Sequence, residues 1–191
     1  MQKKIIISGF GGQGALIAGI LVAQAAIKEK LYTTWFPSYG AEMRGGTTSS
    51  AVIVSDDEIG SPVVSIPDIL IALSGPSLSK FMPKMIDGAI IANSSIIMQN
   101  KKCNTKFYFV PITDIAIKTT ENLKTANMVA IGLLIKLIEK GVCSSKSVDE
   151  NSERILHLES ALYACEKVFE SKQQLIEINK KAIQTGYNLI K

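Results

Sequence analysis

Residues 3–28 read KKIIISGFGGQGALIAGILVAQAAIK, and this stretch decides the class of fold. A short run of isoleucines comes first, then a glycine-rich turn, then alanine, leucine and isoleucine at helical spacing. The apolar run predicts a buried strand, and the residues from Ala15 to Lys28 predict a helix. A strand, a glycine turn and a helix in this order are typical of the first unit of an α/β sheet.

The rest of the chain continues this alternation of strands and helices. We predict further strands at residues 31–36, 49–55, 67–74, 89–93 and 106–110. Helices are expected from Pro76, from Thr113 to Lys118 with Thr113 as cap, and from Asn127 to Lys140. The expected fold is therefore α/β and three-layered, with a largely parallel or mixed sheet, a Rossmann-like start and a helical C-terminal region. We expect one module over residues 1–191, with the helical region at residues 148–191.

Composition excludes several classes of function. The chain has 191 residues and a formal net charge of +4, and its lysines lack the aromatic interleaving of proteins that bind single-stranded nucleic acid. It has no apolar run of the length that spans a membrane, so we expect neither a span nor a signal peptide.

The three cysteines are Cys103, Cys143 and Cys165, and none lies in a C-x-x-C pattern. The chain alone therefore cannot supply the four cysteine ligands of a zinc site or an iron–sulfur cluster, and we expect it to bind no metal. An odd and sparse count also argues against a disulfide framework. A reducing, cytoplasmic location is therefore expected.

The glycine turn is the first candidate site. Gly9, Gly11 and Gly14 fit the pattern G-x-G-x-x-G, and backbone N–H groups at the start of the following helix can bind a phosphate. Dinucleotide-binding proteins also carry an acidic residue at the end of the second strand. Here residues 33–36 run into Pro37 without a carboxylate, which argues against NAD or FAD. The glycines then serve either a tight turn alone or an anion that is not a dinucleotide.

The second candidate site is the segment FPSYGAEMRGGT at residues 36–47. Of the 21 basic residues only Arg44 and Arg154 are arginines, so a guanidinium beside two glycines indicates a specific need for that group. With Glu42 and Tyr39 close in sequence, Arg44 suits recognition of a carboxylate, a phosphate or a partner. The alternative is an internal Glu42–Arg44 ion pair that stiffens the loop.

Polar residues follow two later strands of the predicted sheet. Pro76-Ser77 and Asn93-Ser94-Ser95 are expected at the carboxyl edge, where open α/β sheets bind ligands. Serines at such positions are also typical of helix caps and turns. The single histidine, His157, lies in the helical tail, so a Ser-His-Asp hydrolase is excluded and His157 is interpreted as structural. No catalytic residue is identified.

These motifs, taken together, resemble the γ subunit of the 2-oxoacid:ferredoxin oxidoreductases. The resemblance rests on several segments that occur in the same order and cover nearly the whole chain, namely residues 9–14 with Ala18-Gly19, 35–47, 59–64, 76–78, 93–95, 126–128 and 178–186. The chain departs from the pattern at Ser49-Ser50, where relatives often carry a cysteine, and at Ser74-Gly75, where an asparagine-containing pair is common.

The resemblance implies a division of labour among several chains. Such enzymes convert a 2-oxo acid and coenzyme A to acyl-CoA and CO₂ while reducing ferredoxin, in anaerobic metabolism. Thiamine diphosphate, Mg²⁺ and [4Fe–4S] clusters would lie in partner chains, which are the thiamine-binding α and β subunits and a ferredoxin-like δ subunit. This chain would bind none of these groups alone, would dock on its partners, and can self-associate in isolation.

The form of residues 39–46 is more similar to subunits that act on 2-oxoglutarate or on branched-chain acids such as 2-ketoisovalerate. The candidate residues for ligand or subunit contact are Gly11, Gly12, Gln13, Gly14, Ser38, Tyr39, Glu42, Arg44, Gly45, Gly46 and Asn93. Two alternatives stay open, which are a stand-alone dinucleotide-binding oxidoreductase and an assembly subunit without ligand contact.

Overall fold

The computed structural model describes residues 1–39, 46–98, 105–141 and 156–190. Within these residues six strands form one sheet in the order β2-β3-β1-β4-β5-β6. The strands are β1 (Gln2–Phe10), β2 (Tyr32–Tyr39), β3 (Thr47–Ser55), β4 (Ile69–Ala72), β5 (Ala89–Asn93) and β6 (Lys106–Val110).

The sheet is mixed, and the α/β prediction is confirmed. Strands β1, β4, β5 and β6 are parallel, whereas β3 runs antiparallel to both β1 and β2. A parallel pair needs a long crossover connection, and the few residues between Tyr39 and Thr47 allow only a hairpin. Strand β2 is longer than predicted and includes Pro37, which an edge strand tolerates because its outer side needs no donor.

The described part of the chain also contains six α-helices. They are α1 (Ala15–Lys28), α2 (Gly75–Phe81), α3 (Ile112–Thr120), α4 (Ala126–Glu139), α5 (Leu158–Val168) and α6 (Ile176–Tyr187), with short 3₁₀ segments at Met82–Lys84, Leu123–Thr125 and Glu170–Leu175. The prediction that Thr113 caps α3 is wrong. The helix already begins at Ile112, directly after Pro111, and the Thr113 amide donates to the Asn93 side chain.

The two faces of the sheet are covered unequally because successive strand residues point to opposite sides. Ile5 and Ile7 of β1 face the larger core, to which α1, α4, α5 and α6 contribute. Ile6 faces a smaller core with Leu78 and Phe81 of α2. Helices α1 and α2 thus lie on opposite faces of the sheet.

Helices α4 and α6 cross at unusually close range. A Cβ on Gly132 would lie 1.9 Å from the Ile183 carbonyl oxygen, and one on Gly186 would lie 1.9 Å from the Val129 carbonyl oxygen. Only glycine fits at either position, since real Cβ contacts are far longer. This crossing joins the C-terminal helices to the central buried helix α4.

Helix α5 packs on α1 through polar groups as well as apolar ones. His157, at the N-terminus of α5, has its Nδ1 3.0 Å from Glu29 Oε1, and Lys28 Nζ lies 4.5 Å from the centre of the Tyr163 ring. His157 thus has a structural contact, as its sequence context indicates. None of the helices in the described ranges is long and apolar enough to cross a membrane.

Candidate functional site

The structure brings the two sequence motifs together at the carboxyl edge of β1. In the antiparallel register Phe10 lies opposite Thr47, and Gly9 lies opposite Thr48. On the other side of β3, Tyr39 also lies opposite Thr48. The end of β2 at Tyr39 and the start of β3 at Thr47 therefore lie beside the end of β1, where the glycine turn begins. Of the predicted site residues, Glu42, Arg44 and Gly45 lie outside the residues that the structure describes, whereas Ser38, Tyr39 and Gly46 lie inside them.

The glycine turn needs glycine at two of its positions. Gly12 has φ +91° and Gly14 has φ +74°, and residues other than glycine rarely adopt this backbone conformation. A Cβ on Gly14 would also lie 2.3 Å from Asn127 Nδ2. Gly11 and Gly12 are exposed, so their backbone is accessible at the sheet edge.

Gln13 folds back over its own turn. Its Oε1 accepts from the Phe10 amide at 2.7 Å, and its Nε2 donates to the Leu73 carbonyl at 3.2 Å. Oε1 is so close to Gly9 that a Cβ there would lie 2.6 Å from it. The Gln13 side chain therefore links the end of β1 to the end of β4, a contact that the sequence did not predict.

Asn127 holds the other side of the turn. Its Nδ2 donates to the Gly14 carbonyl at 3.1 Å, and its Oδ1 accepts from the Met128 amide at 3.0 Å. Asn127 is buried, and it fixes the start of α4 against the start of α1. It was not among the predicted site residues, although the segment Ala126-Asn127-Met128 belongs to the family resemblance.

A group of buried serines lies under the same edge. Ser8 Oγ donates to the Thr48 carbonyl at 3.1 Å and lies 3.0 Å from Ser77 Oγ, which in turn lies 2.8 Å from Ser74 Oγ. Ser74 also caps α2 by accepting from the Ser77 amide. The residue that caps α2 is thus Ser74 and not the predicted Ser77, so the departure at Ser74 has a structural role.

Lys80 of α2 reaches the base of the hairpin. Its Nζ donates to Thr47 Oγ1 at 3.2 Å, on the exposed side of the edge. Two residues further into the sheet, Ser49 of β3 lies opposite Ser38 of β2 on one side and opposite Ser8 of β1 on the other. Polar groups therefore surround the point at which the hairpin leaves the sheet.

The outer strand β2 carries aromatic side chains and no charged residue. Phe36 is 50% exposed, Tyr32 is 51% exposed and Tyr39 is 71% exposed. Phe36 and Tyr32 share one face of β2, whereas Tyr39 and Trp35 lie on the other, where Trp35 Nε1 donates to Ser50 Oγ at 3.1 Å. Exposed aromatic residues without charge are typical of the centres of protein interfaces.

Asn93 stands apart from this cluster. It ends β5, which is separated from β1 by β4. Its Nδ2 donates to Thr113 Oγ1 at 2.8 Å, and its Oδ1 accepts from the amides of Ser95 and Thr113. At 1% exposure, its polar atoms serve the turn after β5 and the start of α3.

The polar groups at this edge are backbone amides, serine and threonine hydroxyls and the Gln13 and Asn127 carboxamides, which act as hydrogen-bond donors and acceptors. Across the described ranges no three His, Cys, Asp or Glu side chains gather as metal ligands. The Cys165 thiol is buried in α5, and burial raises its pKa from 9.0 to about 11, which disfavours the reactive thiolate. Cys103 and Cys143 lie outside the described residues.

Comparison with known proteins identifies related chains of two lengths. The family model described as pyruvate ferredoxin/flavodoxin oxidoreductase matches residues 4–189. Ketoisovalerate oxidoreductase subunit VorA of Methanothermobacter thermautotrophicus is 36% identical over 185 residues, which are 97% of this chain but only 36% of that relative. The chain thus spans about a third of VorA.

Two further relatives are nearly as short as this chain. The 2-oxoglutarate synthase subunit KorC of Methanothermobacter marburgensis is 36% identical over 158 residues, covering 78% of this chain and 84% of KorC. The crystal structure of a keto/oxoacid ferredoxin oxidoreductase gamma subunit from Geobacter sulfurreducens has a TM-score of 0.76 at 28% identity. The match covers 97% of this chain and 96% of the Geobacter sulfurreducens chain.

Proposed function

The chain belongs to the pyruvate ferredoxin/flavodoxin oxidoreductase family, and we propose that it is the γ subunit of a multi-subunit 2-oxoacid:ferredoxin oxidoreductase. The complex oxidatively decarboxylates a 2-oxo acid with coenzyme A, yielding acyl-CoA and CO₂ and reducing ferredoxin. This chain is inactive alone and acts in the cytoplasm. Its contribution is to dock on the catalytic chains and to present the hairpin connection at residues 40–46 to them.

One observation supports this proposal, namely the position of Thr47, the first residue of β3, beside the end of β1. Phe10 lies opposite Thr47, so this strand end and the exposed Gly11-Gly12 backbone lie at the same edge of the sheet. Arg44 and Glu42 would form the polar centre of that edge, and Gly11, Gly12 and Gly14 would supply backbone donors around it. Ser38, Tyr39, Gly45 and Gly46 would frame the connection, and the same edge would form one wall of the coenzyme A channel.

The partners hold the cofactors. Thiamine diphosphate and Mg²⁺ would lie in the α and β subunits, and [4Fe–4S] clusters in a ferredoxin-like δ subunit, with ferredoxin as the acceptor. Asn93 would act at a distance from the hairpin, by keeping the turn after β5 in place.

Relatives of two lengths support a docking role. In VorA the counterpart of this chain is about a third of a longer polypeptide, whereas in KorC it is most of the chain. Where such a module is part of a longer chain, the covalent link keeps it close to the other modules. Where it is a separate chain, contacts between surfaces must hold it in the complex. The uncharged aromatic strand β2, which leads into the hairpin, is the surface best suited to that contact.

The stand-alone dinucleotide enzyme is the weaker candidate. Strand β2 ends without the carboxylate that dinucleotide-binding proteins use to bind the ribose hydroxyls. A thermal-shift measurement separates the alternatives, because a ligand that binds only the folded state raises the unfolding midpoint. NAD would stabilise a dinucleotide enzyme, coenzyme A would stabilise the proposed subunit, and neither would affect a subunit without ligand contact.

The proposed substrates are 2-oxoglutarate and 2-ketoisovalerate, the acids named for two of the relatives, KorC and VorA. The test is an anaerobic assay of the assembled complex with each acid, with pyruvate in parallel, following ferredoxin reduction in the presence of coenzyme A. Turnover of either proposed acid well above that of pyruvate supports the proposal. Turnover of none of the three would contradict it.

A further inference from the structure

Strand β6 lies at an edge of the sheet. Among the described strands it is the last in the order, with β5 as its neighbour. The Lys106 amide donates to the Gly88 carbonyl at 3.1 Å, and the Val110 carbonyl accepts from the Ser94 amide at 2.8 Å. Every second residue of a parallel strand bonds to the same neighbour, so these two bonds show which residues of β6 face β5.

Two aromatic residues of β6 direct their backbone groups away from β5. The alternation places Tyr108 with the inward-bonding residues, and Phe107 and Phe109 with the outward-facing ones. The N–H and C=O groups of these two phenylalanines point to the side on which the described part of the chain has no further strand. Their half-buried rings lie 6.1 Å apart on the α2 face of the sheet. Outward groups of this kind form a template for another strand.

The other edge of the sheet is less suited to the addition of a strand. Strand β2 contains Pro37, which has no amide hydrogen to donate. Strand β6 has no proline between Lys106 and Val110, and it has the usual length of a strand. Of the two edges, β6 therefore offers the complete set of backbone donors.

We propose that β6 pairs antiparallel with β6 of a second copy of this chain, which joins the two sheets edge to edge. The outward groups are self-complementary when Tyr108 lies opposite its own counterpart on a two-fold axis. Phe107 then lies opposite Phe109 of the second copy, and the two residues exchange both N–H···O bonds. This inference concerns the chain by itself and does not depend on the proposed function.

The side chains of β6 fit the same register. Cross-strand aromatic pairs stabilise a sheet, and here Phe107 and Phe109 of the two copies would form one continuous row on the α2 face. Lys106 would lie opposite Val110 of the second copy, so no like charges meet. One surface thus supplies both halves of the contact, as an isologous interface requires. An extended segment of another protein would have no reason to match this pattern.

A cysteine on the two-fold axis tests the register directly. Tyr108→Cys is made in the full chain with Cys103→Ser and Cys143→Ser, so that the buried Cys165 is the only other thiol. Directly opposed residues of a non-hydrogen-bonded pair lie about 4.5 Å apart at Cα, within the range of a disulfide. Mild oxidation should therefore cross-link this variant into a covalent dimer. Val110→Cys is the matched control, because its counterpart would lie about 13 Å away along the strand.

A second measurement keeps the proposal testable if the cysteine variants do not fold. Sedimentation of the wild-type chain over a range of concentrations should show a monomer–dimer equilibrium. Phe109→Pro removes an outward amide but leaves the bonds to β5, and it should weaken dimerisation at least about tenfold. Phe109→Leu keeps that amide and should dimerise with nearly wild-type affinity.

Three results would overturn the proposal. One is a wild-type chain that stays monomeric at every concentration. Another is a Phe109→Pro variant that dimerises as tightly as the wild-type chain, because the outward amide of β6 would then have no part in the contact. The third is cross-linking of Val110→Cys as readily as Tyr108→Cys, because the two copies would then meet in another register or through another surface.

Discussion

Trp35 donates its indole hydrogen to Ser50 across the β2–β3 pair, at 3.1 Å. Gly19 of α1 makes this contact feasible, because a Cβ there would lie 2.8 Å from the indole nitrogen and 2.5 Å from the Ser50 side chain. The Trp35 indole thus packs over Gly19 of α1 on one face of the edge strand, while Phe36 is half exposed on the other. Since Trp35 is the only tryptophan, its fluorescence reports on this strand alone.

Phe36→Asp should weaken assembly with the partner chains without unfolding this chain. Phe36 is half exposed, so the fold loses little, whereas a buried charge at an interface is costly. We expect at least about a tenfold loss of affinity, equivalent to roughly 1.4 kcal/mol. Titration of the purified partners, followed by isothermal calorimetry, measures it. Ile86→Asp is the control, since Ile86 is 71% exposed and lies outside β2. Equal losses for both variants would remove β2 from the interface.

Gly132→Ala should strongly destabilise the fold. The added methyl group would lie 1.9 Å from a backbone oxygen of α6, so the helices must separate. Overpacking of this kind typically costs about 1–3 kcal/mol, and more where backbone must move. Urea unfolding gives the change in free energy. Gly75→Ala is the control, because nothing lies within 4 Å of a Cβ at that position. If Gly132→Ala were as stable as the wild-type chain, α4 and α6 could not lie in such close contact.

The Cys165 thiol should make stability fall in alkaline solution. Burial raises its pKa from 9.0 to about 11, so the unfolded chain loses this proton at lower pH than the folded one. The stabilising contribution is therefore complete below pH 9 and is lost as the pH rises through 11. Relative to Cys165→Ala, the wild-type chain should lose about 1–2 kcal/mol of unfolding free energy between pH 8 and pH 10.5. A constant difference between the two proteins would show that the thiol is not shielded.

Arg44→Lys should assemble normally and turn over slowly. A lysine keeps the charge but lacks the planar two-donor geometry that pairs with carboxylates and phosphates. We expect the complex to lose roughly tenfold or more in kcat/KM, equivalent to about 1.4 kcal/mol of transition-state stabilisation. Steady-state assays of the purified complex measure this loss, with Lys84→Arg as a control that exchanges the same two residue types elsewhere. Unchanged turnover by Arg44→Lys would mean that the guanidinium has no special role.

Local patterns in the sequence were enough to predict the strands and the class of fold. The isoleucine run at residues 5–7 and the apolar residues of β5 can only be buried, and Gly9–Gly14 can only turn. The position of β3 between β2 and β1, antiparallel to both, was less evident. It depends on how few residues connect β2 to β3 and not on any single residue. Pro37 concealed the full length of β2, because a proline within a run of residues argues against a strand unless that strand lies at the edge of the sheet.

The candidate site was harder to predict because its internal contacts join distant segments. Gln13 was identified from its unusual place in the glycine motif, yet its partner Leu73 is 60 positions away. Asn127 lies 113 positions from the Gly14 carbonyl that it binds, and as a single residue it resembles an ordinary helix cap. Periodicity carries no information on such pairs, whereas the ordered family motifs identified both neighbourhoods.

The most direct test of the central claim is anaerobic affinity purification of this chain from its native cells, with identification of the chains that accompany it. A γ subunit should be recovered with a pair of thiamine-diphosphate-binding chains and a small cysteine-rich chain that carries iron–sulfur clusters, in fixed stoichiometry. Recovery of the chain alone, stabilised by NAD, would contradict the account and would make the glycine turn a dinucleotide site after all.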